Sequence, residues 1–385
     1  MIRYDVVNGS LLETVSALSL EHLSHVDNII RGGNDLKFLE HPRLKKWLSL
    51  EKFIIFGAGG ASLGGQCIHA ICASKDTKGK IIFSYNLDPH TLKNMLETIS
   101  PQTGFLCISK SGETLETISQ LLLIMEHQGH SEIADRVMVI TEDKPSSLRK
   151  IAIQCGFFCI DHPKDIGGRF SVFSAVGMLP AFICGIDPQR IRDGAQQYWK
   201  TSPHLALAGA RFVAGHSQHS SFIYSDKLSL LGAWIAQLYA ESTGKSGVGI
   251  TPLTAMGSFD QHSQLQLYLD GPRDKCFTFF LEKQKTNLKI SSKIFVPEAF
   301  SYMKNKNIFD VFEAQHNATL ESLVEKDLPV RRIEIPEITP EILGALFAHF
   351  IGEVIGVCHL MNINAFDQPA VERGKIITQK LLEAT

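Results

Sequence analysis

The sequence lacks the charge distribution that marks several functional classes. Its 385 residues include 38 basic and 40 acidic side chains, and no block of like charges stands out. Proteins that bind nucleic acid or an anionic membrane surface usually carry such blocks. The balanced charge therefore argues against a nucleic-acid or membrane partner and leaves a local anion site open.

Paired cysteines and recognisable metal motifs are also missing. The eight cysteines are scattered without a CxxC pair, which is typical of reduced, buried thiols in a cytosolic protein. Cys155 and Cys159 would lie roughly 13 Å apart on a strand, too far to share a zinc ion. His216 and His219 form a pair that we assign to a solvated loop, and there is no HExxH motif. The sequence predicts no metal site.

No unbroken apolar stretch of the kind that a signal peptide needs stands near the N-terminus, so we expect a cytoplasmic protein. The apolar segment 342–361 carries His349, Glu353 and His359 and shows a helical face pattern. A membrane span needs about 20 mostly uncharged residues. We therefore interpret this segment as a buried helix of a domain.

Short β-rich runs alternate with longer helical patterns from residue 52 onward. The runs are FIIFG, IIFSYN, FLCIS, VMVIT and FFCID and then, after a polar stretch at 187–203 interpreted as a linker, SFIYS, CFTFFLE and RRIEI. This alternation predicts an α/β fold with parallel sheets and helices on both faces. We expect an N-terminal helical segment (1–40), two similar α/β domains (41–190 and 204–340), and C-terminal helices that close the site (341–385).

One carboxylate and one imidazole stand out in the segment ESTGKSGVGITPLTAMGSFDQHSQLQLYLDGP, residues 241–272. Glu241 ends a helix-like run that Gly244 is suited to cap, and His262 opens a second amphipathic run. Two such groups at the ends of separate elements can divide a proton transfer between them. Each also has a simpler interpretation, as a solvated helix end for Glu241 and a helix N-terminal residue for His262.

The segment FLCISKSGETLETISQLLL has the pattern of a strand, a turn and a helix start. Such a turn offers N–H groups, hydroxyls and the positive end of a helix dipole, which together suit a phosphate. The hydroxyl donors are Ser109, Ser111, Thr114 and Thr117. An ordinary N-cap is the alternative, but four hydroxyls within nine residues favour a phosphate. Glu113 would repel it, so Glu113 should point to solvent or contact a helix dipole.

Two glycine-containing turns add candidate site residues. GAGGASLGG, residues 57–65, has Ser62 where a dinucleotide-binding fingerprint needs its third glycine. We interpret it as a tight turn whose backbone at Gly59 and Gly60 lies close to a ligand. In GGRFS, two glycines would let Arg169 reach the same ligand, and a structural arginine paired with a carboxylate is the alternative.

Four parts of the chain resemble phosphoglucose isomerases. They are GAGGASLGG, SKSGETLET with GGRFSVFSAVG, ESTGK with DQHSQLQ, and FDQPAVERGK, and they follow the family's order from about residue 57 to 375. SKSGET alone recurs throughout the sugar isomerase (SIS) superfamily, whereas the other segments are more specific. The resemblance implies two tandem SIS-type domains, each a three-layer α/β/α sandwich, with N-terminal helices and a C-terminal helix that packs back near the site.

The resemblance also implies a reaction, the exchange of glucose 6-phosphate and fructose 6-phosphate through a cis-enediol, without a metal or organic cofactor. Glu241 would be the base, and His262 with Lys375 would open the sugar ring. Arg169 would offset the charge of the intermediate. The substrate-binding residues would be Gly59, Gly60, Ser109, Ser111, Thr114, Thr117 and Gln368. In the family the histidine comes from the neighbouring subunit, which implies a homodimer with shared sites.

One departure and two alternatives stay open. The family often has serine where this chain has Ala61, so a contact is either missing or taken over by Ser62. A non-catalytic SIS protein that senses a sugar phosphate would keep the hydroxyl turn and would not need Glu241, His262 and Lys375. An isomerase that also accepts mannose 6-phosphate would keep every one of these residues.

Overall fold

The structure, a computed structural model, describes residues 2–8, 18–33, 36–129, 131–284 and 286–384. The strands in these ranges are β1 (Arg3–Asn8), β2 (Lys52–Phe56), β3 (Ile81–Ser84), β4 (Thr103–Ile108), β5 (Val137–Thr141), β6 (Phe158–Asp161), β7 (Gln218–Tyr224), β8 (Thr251–Met256), β9 (Lys275–Glu282) and β10 (Val330–Ile335). The α-helices are α1 (His25–Arg31), α2 (Pro42–Trp47), α3 (Leu63–Cys72), α4 (Pro89–Glu97), α5 (Leu115–Gln128), α6 (Ser147–Cys155), α7 (Ala175–Ile183), α8 (Pro188–Thr201), α9 (Pro203–Val213), α10 (Ser229–Thr243), α11 (Leu265–Asp270), α12 (Ile308–Glu325), α13 (Pro340–Leu360) and α14 (Glu372–Glu383).

The first sheet contains five parallel strands in the order β3-β2-β4-β5-β6. Successive residues of β2 pack into different apolar clusters, with Phe53 and Ile55 on one face and Ile54 and Phe56 on the other. A parallel sheet that is covered on both faces requires such continuous apolar runs. The five strands predicted from these runs are confirmed, and so is the three-layer arrangement.

The second sheet has the order β1-β10-β9-β7-β8. Strands β7 to β10 are parallel, and β7, β9 and β10 confirm the runs predicted from the sequence. Strand β1 pairs antiparallel with β10 at the edge. The expectation of an N-terminal segment that is helical throughout residues 1–40 is therefore wrong at residues 3–8, because Ile2, Tyr4 and Val6 alternate with the period of a strand and pack against the core.

The structure tests the helical prediction for only part of residues 9–40. Residues 20–23 and α1 are helical, as expected, whereas residues 9–17 lie outside the described residues. The strands of the two sheets, apart from β1, fall inside the proposed domain ranges 41–190 and 204–340. The boundaries themselves stay predictions.

The polar stretch 187–203 is not a linker, because most of it forms α8. The side chain of Asp187 accepts a hydrogen bond from the N–H of Gln189 over 2.9 Å, and Pro188 occupies the first helical position. Helix α8 packs against α13 so closely that a methyl group on Gly194 would overlap the backbone of Glu341. Its polar residues form the outer face of a helix.

Helix α13 confirms the interpretation of the long apolar segment. Among the described residues it is the one helix long and apolar enough to cross a membrane, and 89% of its most apolar stretch is buried within the protein. Its Glu353 is fully buried and forms a two-pronged ion pair with Arg331 of β10, with distances of 2.5 and 2.7 Å. The helix thus belongs to the core of the protein, and the assignment of residues 341–385 to helices that close the site stays a prediction.

Helix α14 does not behave as predicted. Every described residue from 366 to 384 is exposed, including the apolar side chains Ile376, Ile377 and Leu381. The predicted packing of the C-terminal helix near the site is not found within a single chain, although the segment that precedes the helix contacts the site directly.

Candidate active site

Glu241 lies in the last turn of α10, and two side chains hold its carboxylate. Gln237, one turn earlier, donates from Nε2 to Oε1 of Glu241 over 2.6 Å. Nη1 of Arg169 lies 3.2 Å from Oε2, and the Glu241 side chain is 32% exposed. The carboxylate is therefore fixed in position while one side of it faces solvent.

Arg169 is the centre of this arrangement and is almost fully buried. Its Nε donates to the hydroxyl of Ser242 over 2.8 Å, and Nη1 donates to Oε1 of Gln368 over 3.3 Å. Its Nη2 donates to the carbonyl oxygens of Ala365 and Asp367 over 2.6 and 3.0 Å. Every nitrogen of the planar guanidinium has an acceptor, so its charge is held in a fixed place.

The first glycine turn lies against this cluster. Gly59 has φ of +56°, and a methyl group there would lie 3.0 Å from Nε2 of Gln237 and 4.0 Å from Oε1 of Glu241. A methyl on Gly60 would overlap the peptide that joins Gly168 to Arg169. Glycine is therefore needed at both positions. The predicted close approach of this backbone to a ligand stays a prediction.

Ser62 is poorly suited to replace the hydroxyl that Ala61 lacks. It is buried, and its Oγ accepts a hydrogen bond from Gln66 over 2.5 Å at the start of α3. The burial of Ser62 and its hydrogen bond with Gln66 favour the interpretation that the ligand contact of the family's serine is missing in this chain.

The hydroxyl turn connects β4 to α5, as predicted. The Oγ of buried Ser109 accepts from the N–H of Gly112 over 3.1 Å and lies 2.7 Å from Oγ1 of Thr114, the N-cap of α5. Gly112 has φ of +71°, which a residue with a side chain rarely adopts. The structure thus brings Ser109 and Thr114 together at the start of a helix of 14 residues.

The other two hydroxyls of this turn have different surroundings. Ser111 is exposed, and its Oγ accepts from the N–H of Glu113 over 3.1 Å. Thr117 is fully buried and donates to the carbonyl of Ile108 over 3.4 Å. The surface of the turn is therefore formed by Ser111 and the partly buried Thr114, with Ser109 and Thr117 beneath them.

Glu113 points away from the turn and contacts the N-terminus of α6. Its Oε1 accepts from the N–H of Ser147 over 2.7 Å, and hydrogen bonds from Ser147 lower the pKa of Glu113. Glu113 is exposed, as one of the two expectations had it, and the helix dipole that it contacts is that of α6 and not that of α5. Its charge is directed away from a phosphate at the turn.

Within a single folded chain, His262 does not join the Glu241 cluster. It follows β8 and ends a short helical turn, Phe259–Gln261, where its side chain is exposed. Glu241 precedes β8, and the six residues of this strand span about 20 Å at about 3.3 Å per residue. The two predicted catalytic groups therefore lie beyond opposite ends of β8, the edge strand of the second sheet.

Lys375 is also separate from the cluster. It lies on the exposed α14, where its Nζ pairs with Glu372 over 2.6 Å and its side chain is 60% exposed. Of the predicted residues, the structure thus joins Glu241, Arg169 and Gln368 and leaves His262 and Lys375 apart. It adds Gln237, which the sequence reasoning missed although it stands four residues before Glu241, on the same helix face.

His219 does not lie in a solvated loop, as the sequence suggested. It is buried in β7, where its Nε2 lies 2.7 Å from Oγ1 of Thr278, and burial lowers its pKa to about 3. In the described part of the chain, no three or more His, Cys, Asp or Glu side chains are grouped so as to hold a metal ion.

Comparison with solved structures supports the fold. A protein of Thermus thermophilus whose title calls it hypothetical superposes with a TM-score of 0.79 at 30% identity, over 94% of this chain and 88% of that one. Tagatose-6-phosphate ketose/aldose isomerase of Escherichia coli superposes with a TM-score of 0.57 at 14% identity, over 95% and 98% of the two chains. The predicted α/β fold with two SIS-type domains is confirmed.

Comparison with sequences identifies the family. The family model described as phosphoglucose isomerase matches residues 45–385. A glucose-6-phosphate isomerase of Thermus thermophilus is 32% identical over 86% of this chain and 84% of its own length, and that of Carboxydothermus hydrogenoformans is 31% identical over 86% and 78%. The residues that the family model matches include the glycine turn, the hydroxyl turn and the Glu241 cluster, and the chain belongs to the phosphoglucose isomerase family.

Proposed function

We propose that the protein interconverts glucose 6-phosphate and fructose 6-phosphate. The observation that carries this proposal is the Glu241 carboxylate, held between Gln237 and a buried Arg169 that also binds Gln368. Membership of the phosphoglucose isomerase family supports the same reaction.

In this reaction Glu241 acts as the base. It takes the proton from the carbon next to the substrate carbonyl, which leaves an enediolate with negative charge on the former carbonyl oxygen. Protonation of this oxygen gives the cis-enediol. The neighbouring hydroxyl then loses its proton to become the new carbonyl, and Glu241 returns its proton to the former carbonyl carbon. A buried guanidinium whose position is already fixed stabilises such charge without reorganisation, and Arg169 has this role.

The hydroxyl turn is the proposed phosphate site. Ser111 and Thr114 lie at the surface of the turn and would contact the phosphate, together with N–H groups at the start of α5. Ser109 and Thr117 support the turn from below. Gly59, Gly60 and Gln368 would contact the sugar, because their backbone or side chain lies against the Glu241 cluster.

Ring opening needs an acid, and we assign it to His262 of the partner subunit, assisted by Lys375. The separation of Glu241 and His262 by the length of β8 supports a homodimer in which each site takes its base and its histidine from different chains. Phe259, three residues before His262, has 76% of its surface exposed. A second copy of the chain that packed against His262 would also bury this phenylalanine. Such a closed two-fold arrangement would contain two equivalent sites.

The same proposal places the enzyme in the cytoplasm as a catalyst of sugar-phosphate metabolism that needs neither metal nor organic cofactor. Proton transfer by Glu241 and ring opening by histidine suffice for the chemistry. The balanced charge of the chain supports the expectation of no nucleic-acid or membrane partner. A sugar-phosphate sensor without catalysis is disfavoured, because it would not need a base held in this way.

An assay with fructose 6-phosphate and mannose 6-phosphate side by side tests the function. We expect glucose 6-phosphate to form from the first, detected by a coupled dehydrogenase, and Glu241→Gln to lose at least about a thousandfold in kcat while it still binds substrate, because an amide cannot take the proton. No product from fructose 6-phosphate, or an active Glu241→Gln variant, would contradict the proposal. Comparable rates with both sugars would instead establish the dual-specificity alternative.

A further inference from the structure

Lys245, four residues after Glu241, has an unusual environment for a lysine. Its backbone forms a tight turn in which the N–H and C=O groups of Lys245 and Val248 exchange hydrogen bonds of 3.0 Å. Ser246 and Gly247 within the turn have φ of 53° and 78°. The Lys245 side chain is only 9% exposed. Lysine is rarely buried to this extent unless its ammonium group is paired.

Three oxygen atoms surround the Lys245 ammonium group. Nζ lies 2.9 Å from the carbonyl oxygen of Ser242 and 3.0 Å from Oδ1 of Asp367, and it also donates to the carbonyl oxygen of Asn364. An ammonium group has three N–H donors, so each donor has an acceptor. None of these contacts involves the Glu241 carboxylate.

Lys245 and Arg169 bind the same two segments of the chain. At the end of α10, Arg169 binds the side chain of Ser242 and Lys245 binds its carbonyl oxygen. In residues 364–368, Lys245 binds the carbonyl of Asn364 and the carboxylate of Asp367, while Arg169 binds the carbonyls of Ala365 and Asp367. Two cations therefore connect the segment that carries Glu241 to the segment that carries Gln368.

These contacts also border the open side of the site. Lys245 and Asp367 line a cleft of about 780 Å³ together with Glu241 and Gln368. The Asp367 side chain is 52% exposed at the wall of the cleft, whereas its partner Lys245 is buried behind it. A shift of residues 364–368 would therefore change both the wall of the cleft and the acceptors that orient Arg169.

We propose that Lys245 is a positioning residue for the isomerase reaction: through residues 364–368 and the end of α10, it fixes Arg169 between Glu241 and Gln368. This inference rests on the proposed function. Lys245 does not exchange a proton with the substrate. Its role is to keep the base, the guanidinium and the amide in one geometry, and a displacement of about 1 Å at a reacting group can cost on the order of a hundredfold in rate.

The test uses Lys245→Met, which removes the charge and keeps most of the stem. We expect kcat to fall between about tenfold and a hundredfold with KM within about twofold, because the distant hydroxyl turn still binds the phosphate. Amide hydrogen exchange in residues 362–368 should become faster. Lys275→Met is the matched control, because the Lys275 side chain is similarly buried, at 5% exposure, and pairs with an aspartate, Asp274, over 2.5 Å, outside the site. It should lose stability and keep kcat.

Two further variants distinguish positioning from a general loss of packing. Asp367→Asn keeps an acceptor at the exposed end of the pair and removes its charge, so it should fold and lose several-fold in kcat. In a Gln368→Ala background, Lys245→Met should cost much less than it does alone, because both changes act on one geometry. Undiminished kcat in Lys245→Met, or fully additive effects with Gln368→Ala, would overturn the proposal.

The exchange measurement separates this inference from the function on which it rests. If the unmodified protein does not isomerise fructose 6-phosphate, the proposed function fails. Unchanged exchange at 362–368 in Lys245→Met would show that Lys245 does not hold this segment, whatever the reaction.

Discussion

Glu241 and His262 lie at opposite ends of β8 in a single chain, the first before the strand and the second after it. The end of α10 faces the first domain, where Gly59 and Arg169 contact Glu241 or its partners. His262 instead faces solvent beside exposed Phe259. One folded chain thus presents the proposed base and, on a separate surface, the histidine that we propose acts in the site of a second chain.

The hydrogen bond from Gln237 should matter for the rate. Gln237→Met keeps the length of the side chain and leaves Oε1 of Glu241 without its donor at 2.6 Å. A lost hydrogen bond to a charged group costs about 1.5–3 kcal/mol, so we expect kcat to fall roughly tenfold to a hundredfold with little change in KM. Steady-state kinetics with fructose 6-phosphate measure both constants.

Gln189→Met is the matched control for that prediction. Gln189 donates to the carboxylate of Asp193, four residues later, over 2.7 Å on the exposed face of α8. Its loss should leave kcat unchanged. Equal rates for Gln237→Met and the unmodified enzyme would show that Arg169 alone suffices to hold Glu241.

Phosphate binding should depend on the hydroxyls at the surface of the turn. Replacement of Ser111 and Thr114 by alanine should raise KM several-fold or more and change kcat less, because the phosphate is held equally in the ground and transition states. Ser109→Ala should in addition lower the melting temperature, since buried Ser109 accepts from Gly112. Ser322→Ala serves as the control, because the hydroxyl of partly exposed Ser322 on α12 bonds only within its own helix, to the carbonyl of Ala318. An unchanged KM in the double variant would locate the phosphate elsewhere.

The buried pair of Glu353 and Arg331 should control stability. Burial alone would raise the pKa of Glu353, but the adjacent guanidinium outweighs burial and holds this pKa well below its usual value. Glu353→Gln leaves Arg331 as an uncompensated buried charge and should cost on the order of 3–5 kcal/mol of unfolding free energy. Urea denaturation measures this loss. Glu341→Gln, which breaks the exposed pair with Arg190, should cost less than about 1 kcal/mol.

The same pair predicts a pH dependence with a defined sign. Because the pKa of Glu353 is lower in the folded than in the unfolded state, its contribution is present above the unfolded value of about 4.3 and is lost as the pH falls below it. The difference in melting temperature between the unmodified protein and Glu353→Gln should therefore shrink below about pH 4. A constant difference down to pH 3 would contradict this assignment.

The central strands were predictable because burial on both faces forces continuous apolar runs, as in β2, β4 and β5. The edge strands of the second sheet, β1 and β8, have no such run. Strand β8 reads TPLTAM, carries Pro252 and buries only Ala255 completely. Helix α8 was hidden by its polar composition, although Ile191, Ala195 and Trp199 recur at four-residue intervals and form its buried face.

The site was predictable only in part, for a related reason. The hydroxyl turn and Glu241 could be proposed because the residues that identify each of them are neighbours in the sequence. The contact of Arg169 with Glu241 and Gln368 joins residues 72 and 199 positions apart, and only the fold brings them together. Gln237 stands in a largely apolar helix, and its spacing of four residues from Glu241 is informative only once Glu241 is proposed as the base.

The arrangement of Glu241 and His262 leads to a mixing experiment. Glu241→Gln and His262→Ala homodimers, each nearly inactive, are unfolded, combined and refolded together. If each site takes Glu241 from one chain and His262 from the other, a mixed dimer has one site with both changes and one with neither, so activity should return to about half of the unmodified value per mixed dimer. If both groups act within one chain, every site in the mixed dimer keeps one change and no activity returns. Differently tagged chains allow the mixed dimer to be isolated before the assay, so an inactive but correctly assembled mixed dimer would contradict the shared site.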